Sequence, residues 1–313
     1  MSLLVDGQWT PGWLESETED GRFVRMDSQF RDFVRPALDA DYPPESGRYL
    51  LYVSYACPWA HRTLIFRQIK GLAEHIRVAV VHPFMGEPGW SFDRDFPGAT
   101  GDPLFGAHYA HELYTRTDPH YSGLVTVPFL FDTLKGRIVN NESSEIIRMF
   151  NSAFNDLTGN RDDYYPEDLR GEIDRINARV YDNLNNGVYR AGFATTQAAY
   201  EEGFEAVFDT LDWLESMLAD GRPYLLGDRL TEADWRVFPT LVRFDAVYFS
   251  HFKCNRQRIV DFRHLWPYVR RLYAIDGVAG TVRLDHIKHH YYRSHPSINP
   301  TRIVPRGPQI RFD

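Results

Sequence analysis

Residues Arg48 to Val81 read RYLLYVSYACPWAHRTLIFRQIKGLAEHIRVAVV, and this stretch behaves in three successive ways. Arg48–Tyr55 is a run of strand formers, stopped by Ala56-Cys57-Pro58. From Pro58 onward Ile65, Phe66, Ile69, Leu72 and Ala73 recur at helical spacing, giving one apolar face. Ile76–Val81 is a second apolar strand, bounded by His82-Pro83. A strand, a helix and a strand in such close succession predict a right-handed βαβ unit with parallel strands.

Downstream, residues 82–124 read as a long loop punctuated by Gly86, Pro88, Gly89, Pro97, Gly98, Gly101, Pro103 and Pro119. A connection of that length is usually functional or disordered. Val125–Phe131 (VTVPFLF) reads as a strand interrupted by Pro128, and Arg137–Asn140 as its antiparallel partner across the turn Asp132–Gly136. Glu142-Ser143 then opens a helix through Ile146, Ile147 and Phe150. The order β-α-β, long loop, β-β-α is the layout of a thioredoxin-like domain. Residues 1–47, with Trp9, Trp13 and Pro43-Pro44 but no sustained period, form an N-terminal extension wrapping that domain.

Residues 151–170 are polar and turn-rich, as a linker would be, and everything beyond reads helical. Ile173, Ile176, Val180 and Leu184 make one apolar stripe; Phe204, Val207, Phe208, Leu211, Leu214 and Leu218 make a stronger one. Thr231-Glu232-Ala233-Asp234 resembles a capping box with Asp in place of the commoner Glu. The expected fold class is therefore α/β plus all-α: an extension over 1–47, a thioredoxin-like domain over 48–155, and an all-helical domain with a C-terminal tail over 156–313.

Composition narrows the function. The 313 residues carry 35 Lys+Arg against 43 Asp+Glu, a formal charge of −8, which disfavours broad nucleic-acid binding but permits a small anion held locally. No apolar run approaches the roughly 18 residues of a membrane span. The start also lacks a secretory signal, so no membrane role and a cytoplasmic location are expected. Two cysteines are too few for a disulfide framework or a Cys-rich zinc site.

Cys57 falls at a strand end and immediately before Pro58, a residue favoured at the first helical position. There the unpaired N–H groups and the positive dipole end favour a thiolate, the nucleophile of thiol–disulfide exchange. A buried core cysteine is the plainer alternative, and the strand-to-helix break favours the reactive one. The motif is Cys57-Pro58-Trp59-Ala60, with alanine where a Cys-x-x-Cys pair would carry its resolving thiol. This predicts monothiol chemistry completed by a soluble thiol such as glutathione. Two further features fit such a ligand. A cis Pro128 would turn the Val127 backbone outward to pair with a peptide-like molecule, whereas a trans edge-strand proline would not. At a helix start, Ser143 suits a carboxylate and Glu142 an ammonium, although taken alone plain capping is the better explanation of the pair.

The blocks Tyr55-Ala56-Cys57-Pro58-Trp59-Ala60-His61-Arg62, Gly89-Trp90, Asp118–Gly123 (DPHYSG), Val125–Pro128 and Asn141-Glu142-Ser143 resemble the glutathionyl-hydroquinone reductases. These are the Xi class of the glutathione transferase superfamily. The resemblance continues through Asn186–Tyr189, Ala191–Ala194, Arg243–Tyr248, His251–Asn255, Asp285–Lys288 and Ile298–Pro300, so it covers nearly the whole chain. It implies that Cys57 attacks the sulfur of an aromatic glutathionyl-hydroquinone conjugate, and that a second glutathione resolves the mixed disulfide. It also implies glutathione binding by Trp90, the Val127-Pro128 backbone, Glu142 and Ser143, with Tyr189, Tyr248 and either Tyr291 or, by choice, Tyr292 lining the aromatic pocket. Glutathione as cosubstrate, no metal and a homodimer complete the implied set. Relatives often carry Arg where this chain has Leu124, so another cation must meet a glutathione carboxylate, and Arg116 is the candidate. General thioltransferase or dehydroascorbate reductase activity, and a non-catalytic binding protein of the same fold, are the alternatives. Cys254 reads as structural, His286, His289 and His290 as lacking a metal-binding framework, and His61 as a surface residue.

Overall fold

Tyr49–Val53 (β1) is buried at all five positions, as a strand covered on both faces requires. In the computed structural model, which describes residues 3–10, 18–23 and 26–312, it is followed by Pro58–Ile69 (α1) and Arg77–Val80 (β2). Next come Ala110–Thr117 (α2), Phe129–Asp132 (β3), Arg137–Asn140 (β4) and Ser143–Ser152 (α3). The sheet order is β4-β3-β1-β2. β1 and β2 run parallel, with Leu51 opposite Val78. β3 runs antiparallel to β1, with Phe129 opposite Tyr52, and β4 antiparallel to β3, with Asn140 opposite Leu130. This register brings the end of β1, the start of β3 and the end of β4 to one edge of the sheet.

The 82–124 segment is not the featureless loop its glycines and prolines imply. It contains α2, only eight residues long, which buries Ala110, Leu113 and Tyr114 on one face. A helix that short offers too few turns for a periodic signal to stand out. Glu112 fixes its start by accepting from the N–H groups of His108 and Tyr109, at 3.0 and 2.8 Å. Met85–Gly86 and Gly89–Trp90 form a small hairpin in the same segment. Asp102 gathers the rest, accepting from the Tyr52 hydroxyl at 2.6 Å and from the N–H groups of Leu104, Phe105 and Ala107. The strand expected over 125–131 begins only at Phe129, because Pro128 has no N–H for a ladder.

The N-terminal segment is structured where it is described; Trp13 lies outside the described residues. Leu3–Val5 and Gln8–Thr10 pair as a hairpin that adds to Gly123–Leu124. Residues 30–32 then lie along β4: Asp32 N–H donates to the Val139 carbonyl and Asn141 N–H to the Phe30 carbonyl, both at 3.0 Å.

Among the described residues one compact unit comprises 3–10, 26–162 and 281–290, and the other 18–23, 163–280 and 291–312. Three boundaries thus depart from the linear division expected above, each for a local reason. The buried Lys70 ammonium donates to the carbonyls of Asn160 and Asp162, which carries the first unit past 155. Residues 281–290 join it through hydrogen bonds of His61 to Thr281, His286 to the Pro97 carbonyl and His290 to the Pro83 carbonyl. Residues 18–23 join the second unit, where Arg22 meets Glu202 at 2.9 Å and Thr195 N–H donates to the Gly21 carbonyl.

The second unit is helical: Arg170–Val180 (α4), Gly187–Gly192 (α5), Gln197–Met217 (α6), Glu232–Arg243 (α7) and Leu265–Tyr273 (α8). Leu284–Ser294 (α9) contributes its last residues to it. Both expected stripes face inward, Phe204 alone being half-buried. Asp234 closes the capping box at α7, accepting from Thr231 N–H at 2.8 Å and also from Leu225 N–H and the Tyr268 hydroxyl. The expected linker is partly helical, with a turn at Asn155–Thr158 ended by Gly159. Two π-helical turns, Tyr181–Asn185 and Phe244–Tyr248, follow α4 and α7. Among the described residues no helix is long and apolar enough to cross a membrane.

One buried ion pair ties the first unit together. The Arg48 guanidinium donates twice to the fully buried Asp132, at 3.0 and 2.6 Å, joining the start of β1 to the end of β3. Asp132→Ala would leave Arg48 buried without that partner, and should cost about 3 kcal/mol in urea unfolding. A loss below about 1 kcal/mol, the range of an exposed pair, would contradict this role.

Candidate active site

Cys57 is the N-cap residue of α1, with extended backbone (φ −75°, ψ 122°) and Pro58 next in the helix. Its side chain is 9% exposed, and Sγ donates to the Val127 carbonyl at 3.2 Å. The contact follows from topology: Cys57 lies four residues past the end of β1, and Val127 two residues before β3, which starts opposite Tyr52. The Val127–Pro128 peptide bond is cis.

Glu142 and Ser143 meet the same sheet edge from β4. Glu142 is the N-cap of α3, and its carboxylate accepts from Ser144 N–H at 3.0 Å, Ser144 Oγ at 2.8 Å and Ser28 Oγ at 3.2 Å. Burial pushes its pKa up, but the Ser144 donors, the nearby Arg62 charge and the Ser28 hydroxyl outweigh this and hold it below the ordinary glutamate value. The cap is therefore ionised and complete above that value, and is lost only as pH falls below it. Ser143 is the first helical residue and is buried. The carboxylate that caps the helix is thus also the anionic group at this edge. Arg62 is itself buried, its guanidinium 4.5 Å from the centre of the Trp59 ring.

Trp90 is 8% exposed and stacks on His290, ring centres 4.9 Å apart. Gly89 has φ +86°, and a Cβ there would come within 2.8 Å of the Trp9 ring, so only glycine lets Trp9 brace the hairpin. Trp9 is fixed in turn by stacking on His111 and donating to the Glu87 carbonyl.

In the second unit Tyr189, Tyr248 and Tyr291 form a buried cluster. The Tyr291 hydroxyl lies 2.5 Å from that of Tyr189 and 2.9 Å from that of Tyr248. Burial, foremost, drives Tyr248 and Tyr291 well above the ordinary tyrosine pKa, so both stay protonated at neutral pH. The buried Arg243 acts on both in the opposite direction. Tyr248 comes from a π-helical turn, and Phe252 stacks on it at 5.6 Å. Phe252 fits because Gly192 has no side chain: a Cβ there would meet the ring at 2.2 Å.

Three expectations need correction. Tyr292 does not join the cluster; one residue on from Tyr291, it bonds Ser250 and donates to the Ala246 carbonyl at 3.3 Å. Neighbours on a helix point about 100° apart, so only one of the two can face the other tyrosines. Arg116 does not face the cysteine. It is exposed, its guanidinium stacked 3.8 Å over Phe105, which packs on Phe131 opposite Leu50 near the start of β1. That is the far end of the sheet from Cys57. His61 is not on the surface but fully buried, bonded to Thr281 at 2.8 Å.

The other side chains have local roles. Leu124 pairs with Leu3 in the added hairpin. His286 and His290 bind loop carbonyls, and His289 packs against Phe96. Cys254 is fully buried, which pushes its thiol pKa up to about 12. Sequence reading missed Tyr114, whose hydroxyl bridges the backbone before Pro128 and the side chain before Glu142.

Residues 56–153 match the glutathione S-transferase N-terminal domain and residues 197–274 its C-terminal domain. A glutathionyl-hydroquinone reductase of Sphingobium chlorophenolicum, PcpF, is 57% identical over 98% of this chain and 96% of its own length. Among solved structures, a Xi-class glutathione transferase of Natrialba magadii superposes with a TM-score of 0.92 at 48% identity, covering 100% of this chain and 95% of that one. The glutathione-bound structure of YqjG from Escherichia coli gives 0.91 at 48% identity, covering 99% and 97%.

The contrast between the two thiols is directly measurable. Iodoacetamide at pH 8 should modify the native protein once, at Cys57, and reach Cys254 only after denaturation. Equal labelling of both in the folded protein would contradict the site described here.

Proposed function

The chain belongs to the glutathionyl-hydroquinone reductases, the Xi class of the glutathione transferase superfamily, and we propose that it performs their reaction through Cys57. The supporting observation is the Cys57 Sγ at the start of α1, 3.2 Å from the Val127 carbonyl and with Ala60 in the resolving position. In this reading the Cys57 thiolate attacks the sulfur of a glutathionyl-hydroquinone. The sulfur–ring bond breaks, the ring carbon takes up a proton, and a Cys57–glutathione disulfide forms. The thiolate of a second glutathione attacks that disulfide, releasing oxidised glutathione and restoring Cys57. Overall one glutathione thiol and the glutathionyl sulfur of the substrate are oxidised to the disulfide, and the ring is reduced by two electrons.

The Val127 backbone, cis Pro128, Glu142, Ser143 and Trp90 are assigned to glutathione. Glu142 is ionised, as recognition of an ammonium requires, and Ser143 lies where the free N–H groups of a helix start favour a carboxylate. The tyrosine cluster is assigned to the aromatic part. Hydroxyls that remain protonated can donate to a phenolic oxygen as it gains negative charge, and the rings give apolar packing. From the family alone we further assign a cytoplasmic homodimer, which sedimentation and cell fractionation would test.

Steady-state turnover of a glutathionyl-hydroquinone with excess glutathione is the test. Cys57→Ala should fall to the uncatalysed background, and full activity in it would overturn the assignment. Tyr291→Phe should lower kcat by about a hundredfold, the scale for losing one donor to a developing oxyanion. Tyr292→Phe should stay close to the parent; the reverse order would exchange the two tyrosines.

A further inference from the structure

The Tyr114 hydroxyl sits between two strands of backbone that approach the same sheet edge. It donates to the Thr126 carbonyl at 2.8 Å and accepts from Thr126 N–H and from Asn141 Nδ2, each at 3.2 Å. A phenol has one proton and two lone pairs, so its bonding capacity is filled. Thr126 precedes Val127, whose carbonyl meets Cys57 Sγ, and Asn141 precedes Glu142 and Ser143. The side chain is fully buried, packed against Phe30, Tyr121 and Phe129. Asn141 is held from its other side, since its Oδ1 accepts from Phe30 N–H at 3.1 Å.

We propose that Tyr114 is a positioning residue for glutathione, its hydroxyl setting the distance between the Val127 backbone and the Glu142-Ser143 helix start. The inference rests on the assignment of those residues to glutathione made above. Glutathione has a peptide-like backbone at one end and an amino-acid head at the other, so a binding surface for it needs two groups of fixed separation. Otherwise β3 and α3 are linked through the β3–β4 pairing, whose register is interrupted by a bulge between Leu130 and Phe131. The phenol oxygen ties them directly at the edge where they are used. Tyr114 comes from α2, so the helix hidden in the long loop acquires a purpose at the site without touching the ligand.

The test uses the full-length protein and S-methylglutathione, which cannot form a disulfide, with affinity measured by calorimetry. Tyr114→Phe keeps the ring packing and removes the bridge. It should weaken S-methylglutathione about tenfold, the scale of one lost buried hydrogen bond. It should also raise the KM for glutathione more than it lowers kcat. Asn141→Ala removes the helix side of the bridge, together with the acceptor for Phe30 N–H, and should weaken binding at least as much. The double variant should lose little more than Asn141→Ala alone, because both act through one oxygen. If Tyr114→Phe does not fold, Asn141→Ala carries the test. A folded variant with a lower melting temperature but unchanged affinity would overturn the proposal. A parent protein that does not bind S-methylglutathione would overturn the glutathione assignment itself.

Discussion

The antiparallel register that sets Phe129 opposite Tyr52 is the constraint on which the site depends. Because β1 and β3 run in opposite directions, the chain leaves β1 at the edge where it enters β3. Cys57 and Val127 are thereby neighbours although 70 residues apart. β4 reverses again and delivers Asn140 beside Leu130, so Glu142 reaches the same edge. Every group assigned to glutathione recognition from this sheet follows from those two pairings. The buried Arg48–Asp132 pair secures the opposite end of the same strands.

Electrostatics at that edge are local. The chain carries a formal charge of −8, yet α1 and α3 both begin there, and the positive ends of their dipoles face that edge. Arg62, buried on α1, adds a full positive charge felt by Glu142. The tyrosine cluster shows the complementary solution within the helical unit. Its hydroxyls bond to one another, burial keeps those of Tyr248 and Tyr291 neutral, and Arg243 supplies the nearby charge.

The βαβ unit, the β3–β4 hairpin and the helical stripes were legible because each carries a full period of apolar residues. The N-cap position of Cys57 was legible for a different reason: proline marks the first helical turn whatever the tertiary context. What escaped reading depends on contacts distant in sequence. α2 is too short for its pattern to outweigh the surrounding glycines and prolines. Tyr291 and Tyr292 are indistinguishable until the helix phase is known. Arg116 was the candidate cation in place of the relatives' Arg at Leu124, but α2 ends at the far side of the sheet, where Thr117 accepts from Ile138 N–H. Residues 281–290 joined the first unit through histidines whose partners, the Pro83 and Pro97 carbonyls, carry no side-chain signal.

The central claim is that Cys57 takes the glutathionyl group. It is tested most directly by mixing the protein with a stoichiometric glutathionyl-hydroquinone, without free glutathione, and mapping the quenched product by peptide mass spectrometry. One glutathione per chain should be found, bound as a disulfide to Cys57, with an equivalent of free hydroquinone released. Hydroquinone released with Cys57 unmodified, or the adduct found on Cys254, would contradict it.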